Sequence, residues 1–306
     1  MDGMVVFWQM LMVVCFMGVG AFLFGRGKLQ EASRKDLSFL VAEVCTPAMI
    51  LANALGGTAL SVSRFFQVAL LALVSFGILI LLGILIPRLI GAPREERRFY
   101  HAMTVYYNIG FIGIPVVSAV LGQEALVYVA VFMLVFNILA YTEGLWVISR
   151  GAEGGQGASW KRMINPGTIA CGVALVICLT GVPFPAVVKS AATYMGNCTT
   201  FLSMVVLGGA LAKTPVRELL GQARLYVFLV IRALVVPILA AMALKMVPGV
   251  DNLLLETTVL LISLPAANLP LMMANQYGLK ATVLSSGIIL MTLFSVVTIP
   301  VVALFL

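Results

Sequence analysis

Ten runs of mostly apolar residues, each near the length of a helix that crosses a bilayer, fill this chain almost end to end. They read as spans near 4–24, 36–55, 64–86, 99–121, 126–148, 166–182, 184–211, 222–244, 253–276 and 280–305, separated by charged or Gly/Pro-rich breaks. One crossing needs about 20 apolar residues, so ten of them take up roughly 200 residues and leave short connections only. A chain of 306 residues that is 62% hydrophobic and 10% charged has no room for a large soluble domain. Soluble enzymes, nucleic-acid binders and disordered proteins are thereby excluded, whatever a net charge of +7 suggests. The first run reads as a spanning helix rather than a signal peptide, because Asp2 is acidic, no basic segment precedes Met4, and no small-residue cleavage site follows.

The basic residues report orientation. With the N-terminus outside, fifteen of the 19 Lys and Arg fall on cytoplasmic connections, among them Arg26, Lys28, the cluster Arg88, Arg94, Arg97 and Arg98, and Arg150. The opposite side holds only Arg64, Lys189 and Lys245, which supports ten spans in a plasma membrane with both termini non-cytoplasmic. The five cysteines form no CxxC pair and no ligand cluster with the single His101, and read as small packing residues. No HExxH, GxSxG or Walker A pattern is present, so no enzymatic activity, cofactor or metal centre is expected.

The polar, Gly-rich stretch 149–165 divides the chain into a first five-span half, 1–148, and a second, 166–306, with Asn165-Pro166 opening span six as N-cap and first helical residue. Gly25 at the end of span one lies 156 residues before Gly181 at the end of span six, and Pro115 in span four lies 155 before Pro270 in span nine. Five is an odd number, so the second half inserts upside down relative to the first, the plan of many secondary transporters.

Spans four and nine are the two that should break. Asn108-Ile-Gly110-Phe-Ile-Gly113-Ile-Pro115 places two glycines and a proline at mid-span, and the helix is expected to unwind at Ile114-Pro115. Pro265-Ala-Ala-Asn268-Leu-Pro270 does the same at the matching depth. Irregular backbone survives in a membrane only inside protein or along a wet cavity, so a midplane cavity follows. Half-helices starting near Pro115 and Pro270 would aim their positive ends at it, and the amides of Asn108 and Asn268 can donate and accept there, which suits a small organic anion. The alternative is two ordinary proline kinks, which the paired positions disfavour.

These motifs, with Phe136-Asn137-x-x-x-Tyr141-Thr142-x-Gly144 and Tyr277-Gly278, resemble the auxin efflux carrier family over essentially the whole chain. The resemblance implies an all-α membrane fold of ten helices in two inverted five-helix repeats, shared with bile acid/sodium symporters, with spans four and nine crossing at the substrate site. It implies an elevator-like movement of spans 3–5 and 8–10 against spans 1, 2, 6 and 7, commonly in a homodimer. By motif it places Asn108, Gly110, Gly113, Pro115, Asn268 and Pro270 at the site. A sodium-coupled symporter of the same fold and a transporter-derived sensor are the rival readings.

Charged groups inside spans are costly, about 2.5–3.5 kcal/mol at the centre on insertion scales, and each needs a reason. Glu43 reads equally as a proton-exchanging group or an interfacial carboxylate satisfied by Lys35 or water. Glu143 is expected to reach the interface or pair with Arg150, and proton coupling is its other reading. Arg232 reads as a counter-charge for an anion or, in preference, a partner for an acid or for freed carbonyls. His101 is expected at the interface rather than in a proton relay.

Overall fold

A computed structural model describes residues 3–56, 61–150, 166–182, 184–213 and 221–306; the linker residues 151–165, with Asn165, lie outside them. Among the described residues the fold is helical, with one isolated antiparallel bridge, Tyr107 to Ala266, and no strand. We number the helices in chain order. α1 is Gly3–Gly25; α2 runs through Glu31–Leu40, Val41–Cys45 and Thr46–Gly56; α3 is Val62–Leu89. Arg97–Val105 (α4a) is broken from Ile109–Gly113 and Ile114–Leu121 (α4b), and α5 is Gln123–Ser149. Pro166–Thr180 (α6), Ala186–Lys213 (α7) and Ala223–Lys245 (α8) follow. Asn252–Ser263 (α9a) is broken from Leu269–Gln276 (α9b), and Thr282–Ala303 is α10.

Five of these, α3, α5, α7, α8 and α10, are individually long and apolar enough to cross a membrane. Their outward faces suit lipid. On α3, Phe66, Leu70, Leu73, Ile78 and Leu81 are exposed while Val68, Ala72, Phe76 and Leu79 are buried, an apolar helix with one face packed and one left for hydrocarbon.

Six glycines, and among the described residues no other kind of residue, have positive φ. They fall in three pairs: Gly27 and Gly181 after α1 and α6, Gly91 and Gly249 after α3 and α8, Gly122 and Gly278 after α4b and α9b. Each pair is 154 to 158 residues apart. Left-handed backbone is where a helix ends and the chain turns, and glycine enters it without a Cβ clash.

Two sets of contacts organise the bundle. α7 packs on α1 and α2, and α2 on α6; α3 with α4a and α5, and α8 with α9a and α10, gather around the two broken helices, and α1 against α10 and α5 against α6 join the two sets. α1 and α7 meet backbone to backbone. A Cβ on Gly208 would collide with the Met17 carbonyl and the Ala21 amide, and one on Gly20 would stand 2.7 Å from the Cα of Val205. In a bilayer, where helix association draws little from the hydrophobic effect, such small-residue seams supply the packing. Gly208→Leu is therefore expected to cost about 1–3 kcal/mol through overpacking and to lower the melting temperature of the purified protein. Gly18→Leu, on an open face of α1 with nothing within 4 Å, should leave it unchanged.

Candidate binding site at the two helix breaks

The breaks in α4 and α9 lie against each other and satisfy each other. Asn108 N–H donates to the Pro265 carbonyl at 2.8 Å, and Ala267 N–H donates to the Tyr106 carbonyl at 2.8 Å. These two bonds form the Tyr107–Ala266 bridge, so backbone released from two helices is paired across them.

The α4 break is not where the proline predicts it. Unwinding occupies Tyr106–Asn108, and Pro115 sits inside α4b. Asn108 moves the boundary: its Oδ1 caps α4b by accepting from Phe111 N–H at 3.0 Å. The first turn then winds wide, with Gly113 N–H reaching the Asn108 carbonyl five residues back, which relieves the clash a proline ring makes with an ordinary preceding turn. In α9 the break spans Leu264–Asn268. Leu264, before Pro265, is extended (φ −62°, ψ 149°), and Pro270 is the second residue of α9b, where it forfeits no helical bond.

A narrow cavity of about 90 Å³ opens beside the bridge. Asn108, Gly110 and Asn268 line it, joined by Thr46, Asn137 and Tyr141. Asn108 Nδ2 and Asn268 Oδ1 are shut off from solvent and have no protein partner. The cap fixes Asn108 with its Nδ2 donor free, and Asn268, whose amide oxygen and nitrogen are interchangeable in assignment, presents a donor when turned. No charged side chain lines this cavity among the described residues. Its positive character comes from the first turns of α4b and α9b, whose N–H groups lack partners within the helix.

The other predicted residues fall elsewhere. Gly113 does not line the cavity; it lets α4b approach Leu264, whose Cδ1 would lie 2.7 Å from an added Cβ. Pro270 is buried outside the lining. Pro115 lines a separate cavity of about 430 Å³ with Lys189, Asn197 and Gln123. Glu43 is half-buried, makes no hydrogen bond or ion pair within the described residues, and lies near enough to Tyr141 for their charges to interact.

Arg232 is fully buried and binds the freed carbonyls. Its Nε donates to the Thr104 carbonyl at 2.8 Å and an Nη to the Ile262 carbonyl at 2.6 Å. These belong to the last turns of α4a and α9a, each carrying about half a negative charge, so one guanidinium neutralises two helix ends.

Glu143 does not pair with Arg150. It pairs with His101, Oε1 to Nε2 at 2.7 Å, at ion-pair distance though off the line of a good hydrogen bond, and it accepts from the Tyr106 hydroxyl. Arg150 instead stacks on Trp146, 3.6 Å from the ring centroid. His101 is buried among protein beside Arg94, Arg97 and Arg98, because Gly83 of α3 has no side chain and the imidazole packs against it. Tyr106 then links this pair to the bridge, through its hydroxyl at one end and its carbonyl at the other. Gly144 makes the link possible, since a Cβ there would stand 2.8 Å from the Tyr106 ring.

Four wide, π-helical turns carry every ionisable candidate and both glycines: Glu43 in Val41–Cys45, Gly110 and Gly113 in Ile109–Gly113, Glu143 in Ala140–Gly144, Arg232 in Ile231–Val235. The residues that sequence reasoning left out of the site are Tyr106, Thr46 and His101; Asn137 and Tyr141 stood in the motifs without a role. Arg232→Leu strips the carbonyls of Thr104 and Ile262 of their donor at about 1–3 kcal/mol each and should lower the ligand-free melting temperature by several degrees, Arg232→Lys by less. An unchanged melting temperature with lost ligand binding would make Arg232 a substrate contact instead.

Comparison with known proteins agrees with this architecture. The chain is 25% identical over 292 residues to an "Uncharacterized transporter" of Methanothermobacter thermautotrophicus, covering 95% of each protein. It is 24% identical over 235 residues to a "Putative malonate transporter" of Rhizobium meliloti, covering 74% of this chain and 71% of that one. The family model described as membrane transport protein matches residues 5–158 and 155–303. Matched over nearly its whole length, the chain belongs to the membrane transport protein family.

Proposed function

We propose that this protein is a secondary carrier of a small organic anion, a short dicarboxylate such as malonate, bound beside the paired breaks of α4 and α9. The observation that carries this reading is the pair of unpartnered amide groups on Asn108 and Asn268, facing one small cavity at the positive ends of two half-helices. A carboxylate there accepts from side-chain amides and first-turn N–H groups, and meets no acidic side chain. The malonate named for the Rhizobium relative fits that chemistry and the cavity's size.

Ten spans in two inverted repeats, in a plasma membrane with both termini non-cytoplasmic, make the rest of this reading. The three pairs of turn glycines and the basic residues' asymmetry support it. The gathering of α3–α5 and α8–α10 around the breaks fits elevator movement of that set against α1, α2, α6 and α7, with the α1–α10 and α5–α6 contacts as the seam that would slide; a homodimer belongs to the same reading. Arg64 ties the moving set together at its outer rim, pairing with Asp251 and donating to the Tyr128 hydroxyl at 2.9 Å. The larger cavity beside Pro115 serves as the outer approach, with Lys189 at its wall.

Glu143 is the place to couple a proton. It is flanked by His101 and the Tyr106 hydroxyl, and the cavity outside it holds Arg88, Arg94, Arg97, Arg98, Arg150 and Glu95. Neutralising Glu143 removes the charge that faces His101 and weakens its hold on Tyr106, whose carbonyl holds the bridge. Sodium coupling is the competing arrangement, and a sensor would bind the same anion without moving it.

Purified protein in vesicles tests these points together. Uptake of labelled malonate against a carboxylate panel should fall about 10- to 150-fold in Asn108→Ala and in Asn268→Ala, the loss of a hydrogen bond to a charged group, with normal folding. Wild-type rates in both variants remove the site, and binding without uptake marks a sensor. Uptake driven by a pH gradient should lose its pH dependence in Glu143→Gln, whereas a dependence on sodium that survives this change would exclude the proton reading.

A further inference from the structure

A third cavity, of about 600 Å³, lies apart from the breaks at the side read as cytoplasmic. The ends of α3 and α5, the α3–α4a connection and α4a surround it, and five guanidiniums face it: Arg88, Arg94, Arg97, Arg98 and Arg150. None is within ion-pair distance of a carboxylate among the described residues. Their protein partners are backbone carbonyls and two rings, Phe99 under Arg98 and Trp146 under Arg150. Arg88 donates to Ile84 at 2.6 Å, Arg97 to Ala92 at 2.9 Å, Arg98 to Arg150, and Arg150 stacks on Trp146. Each guanidinium has five N–H donors, so most are left over, and Arg98 Nε is closed off from solvent with no partner. Of the two acids in the wall, Glu143 is already engaged by His101 and Tyr106, which leaves Glu95 against five cations.

The walls between the cations are apolar, from Ile84, Val147, Trp146 and the arginine stems. Ile84 and its neighbours Leu85 and Leu89 are exposed on the outer face of α3, 42%, 52% and 81%, so the cavity is continuous with the surface that meets hydrocarbon. Trp146, 44% exposed, stands where interfacial aromatic residues stand. A soluble anion has no use for that lateral apolar opening, and a phospholipid does. We propose that this cavity holds the phosphate headgroup of an anionic membrane lipid, with the acyl chains along the outer face of α3. The proposal rests on the orientation given above but not on any transported substrate. Its consequence is regulatory: the His101–Glu143 pair is the floor of the cavity, and an occupying phosphate alters the field at that pair.

The test uses delipidated, detergent-purified protein, with thermal unfolding and native mass spectrometry as readouts. Phosphatidylglycerol and cardiolipin should bind and stabilise, and phosphatidylcholine should not. The double variant Arg88→Gln/Arg94→Gln, which removes no bond between helices, should bind phosphatidylglycerol about 30-fold more weakly, at the usual worth of two basic residues near an anionic surface. Lys28→Gln/Lys280→Gln, exposed on the same side and outside the cavity, should bind as wild type. Equal weakening in both doubles, or no discrimination among the lipids, overturns the site. Stabilisation by glycerol 3-phosphate or inorganic phosphate equal to that by the lipid overturns the lipid and leaves a soluble phosphate ligand. A cooperative unfolding transition of the lipid-free double variant at the wild-type temperature establishes that it folds, and neither readout requires transport or a carboxylate ligand.

Discussion

A peptide group stripped of its helical partner inside a membrane has no water to turn to, and the architecture around α4 and α9 answers that constraint. Each broken helix is the other's solvent. Two reciprocal backbone bonds, Asn108 to Pro265 and Ala267 to Tyr106, take up four polar groups at the point where lipid would penalise them most. Unfolding one break strands the other, so they exist only as a pair. Each then leaves helix ends nearby with their dipoles uncancelled, and those ends are what a ligand or a buried cation can use.

The two kinds of helix end are treated in opposite ways. The carbonyl ends of α4a and α9a are closed by Arg232, a fully buried cation whose charge is offset by two partial negative charges rather than by a carboxylate. The N–H ends of α4b and α9b stay largely open, with Ile109 N–H given to the Tyr107 carbonyl and Phe111 N–H to Asn108 Oδ1. Negative ends satisfied internally and positive ends left free bias the cavity toward anions without any basic side chain in its wall. Such a bias comes without a strong point charge that would hold an anion too tightly to release. Tyr106 adds a mechanical link, because one residue accepts at the bridge and donates to Glu143.

Membrane character and which two helices break were legible in the sequence because they depend on local properties: apolar run length, proline and glycine. Where the α4 break begins was not, because Asn108 and Pro115 make conflicting local demands. Capping by Asn108 and a wide following turn resolve them in favour of the earlier position. The same holds for Glu143. Sequence proximity favoured Arg150, but Arg150 has Trp146 beside it, while His101 reaches Glu143 across a helix contact made close by Gly83. The wide turns at Glu43 and Arg232 share with the one after Asn108 a proline two residues past their end, Pro47, Pro237 and Pro115, whereas the wide turn at Glu143 has no such proline.

The sequence by itself determined that this chain lives in a bilayer, that its helices run between charged and glycine-rich turns, and that two of them fail at mid-length near an asparagine. Those outcomes follow from transfer free energy and backbone chemistry, which each segment carries with it. The tertiary structure alone decided that the two failures face each other, that Asn108, Gly110 and Asn268 share a cavity while Gly113, Pro115 and Pro270 do not, and that Arg232 belongs to carbonyls. Such outcomes depend on which groups remain unsatisfied once helices have docked, and no single segment contains that information.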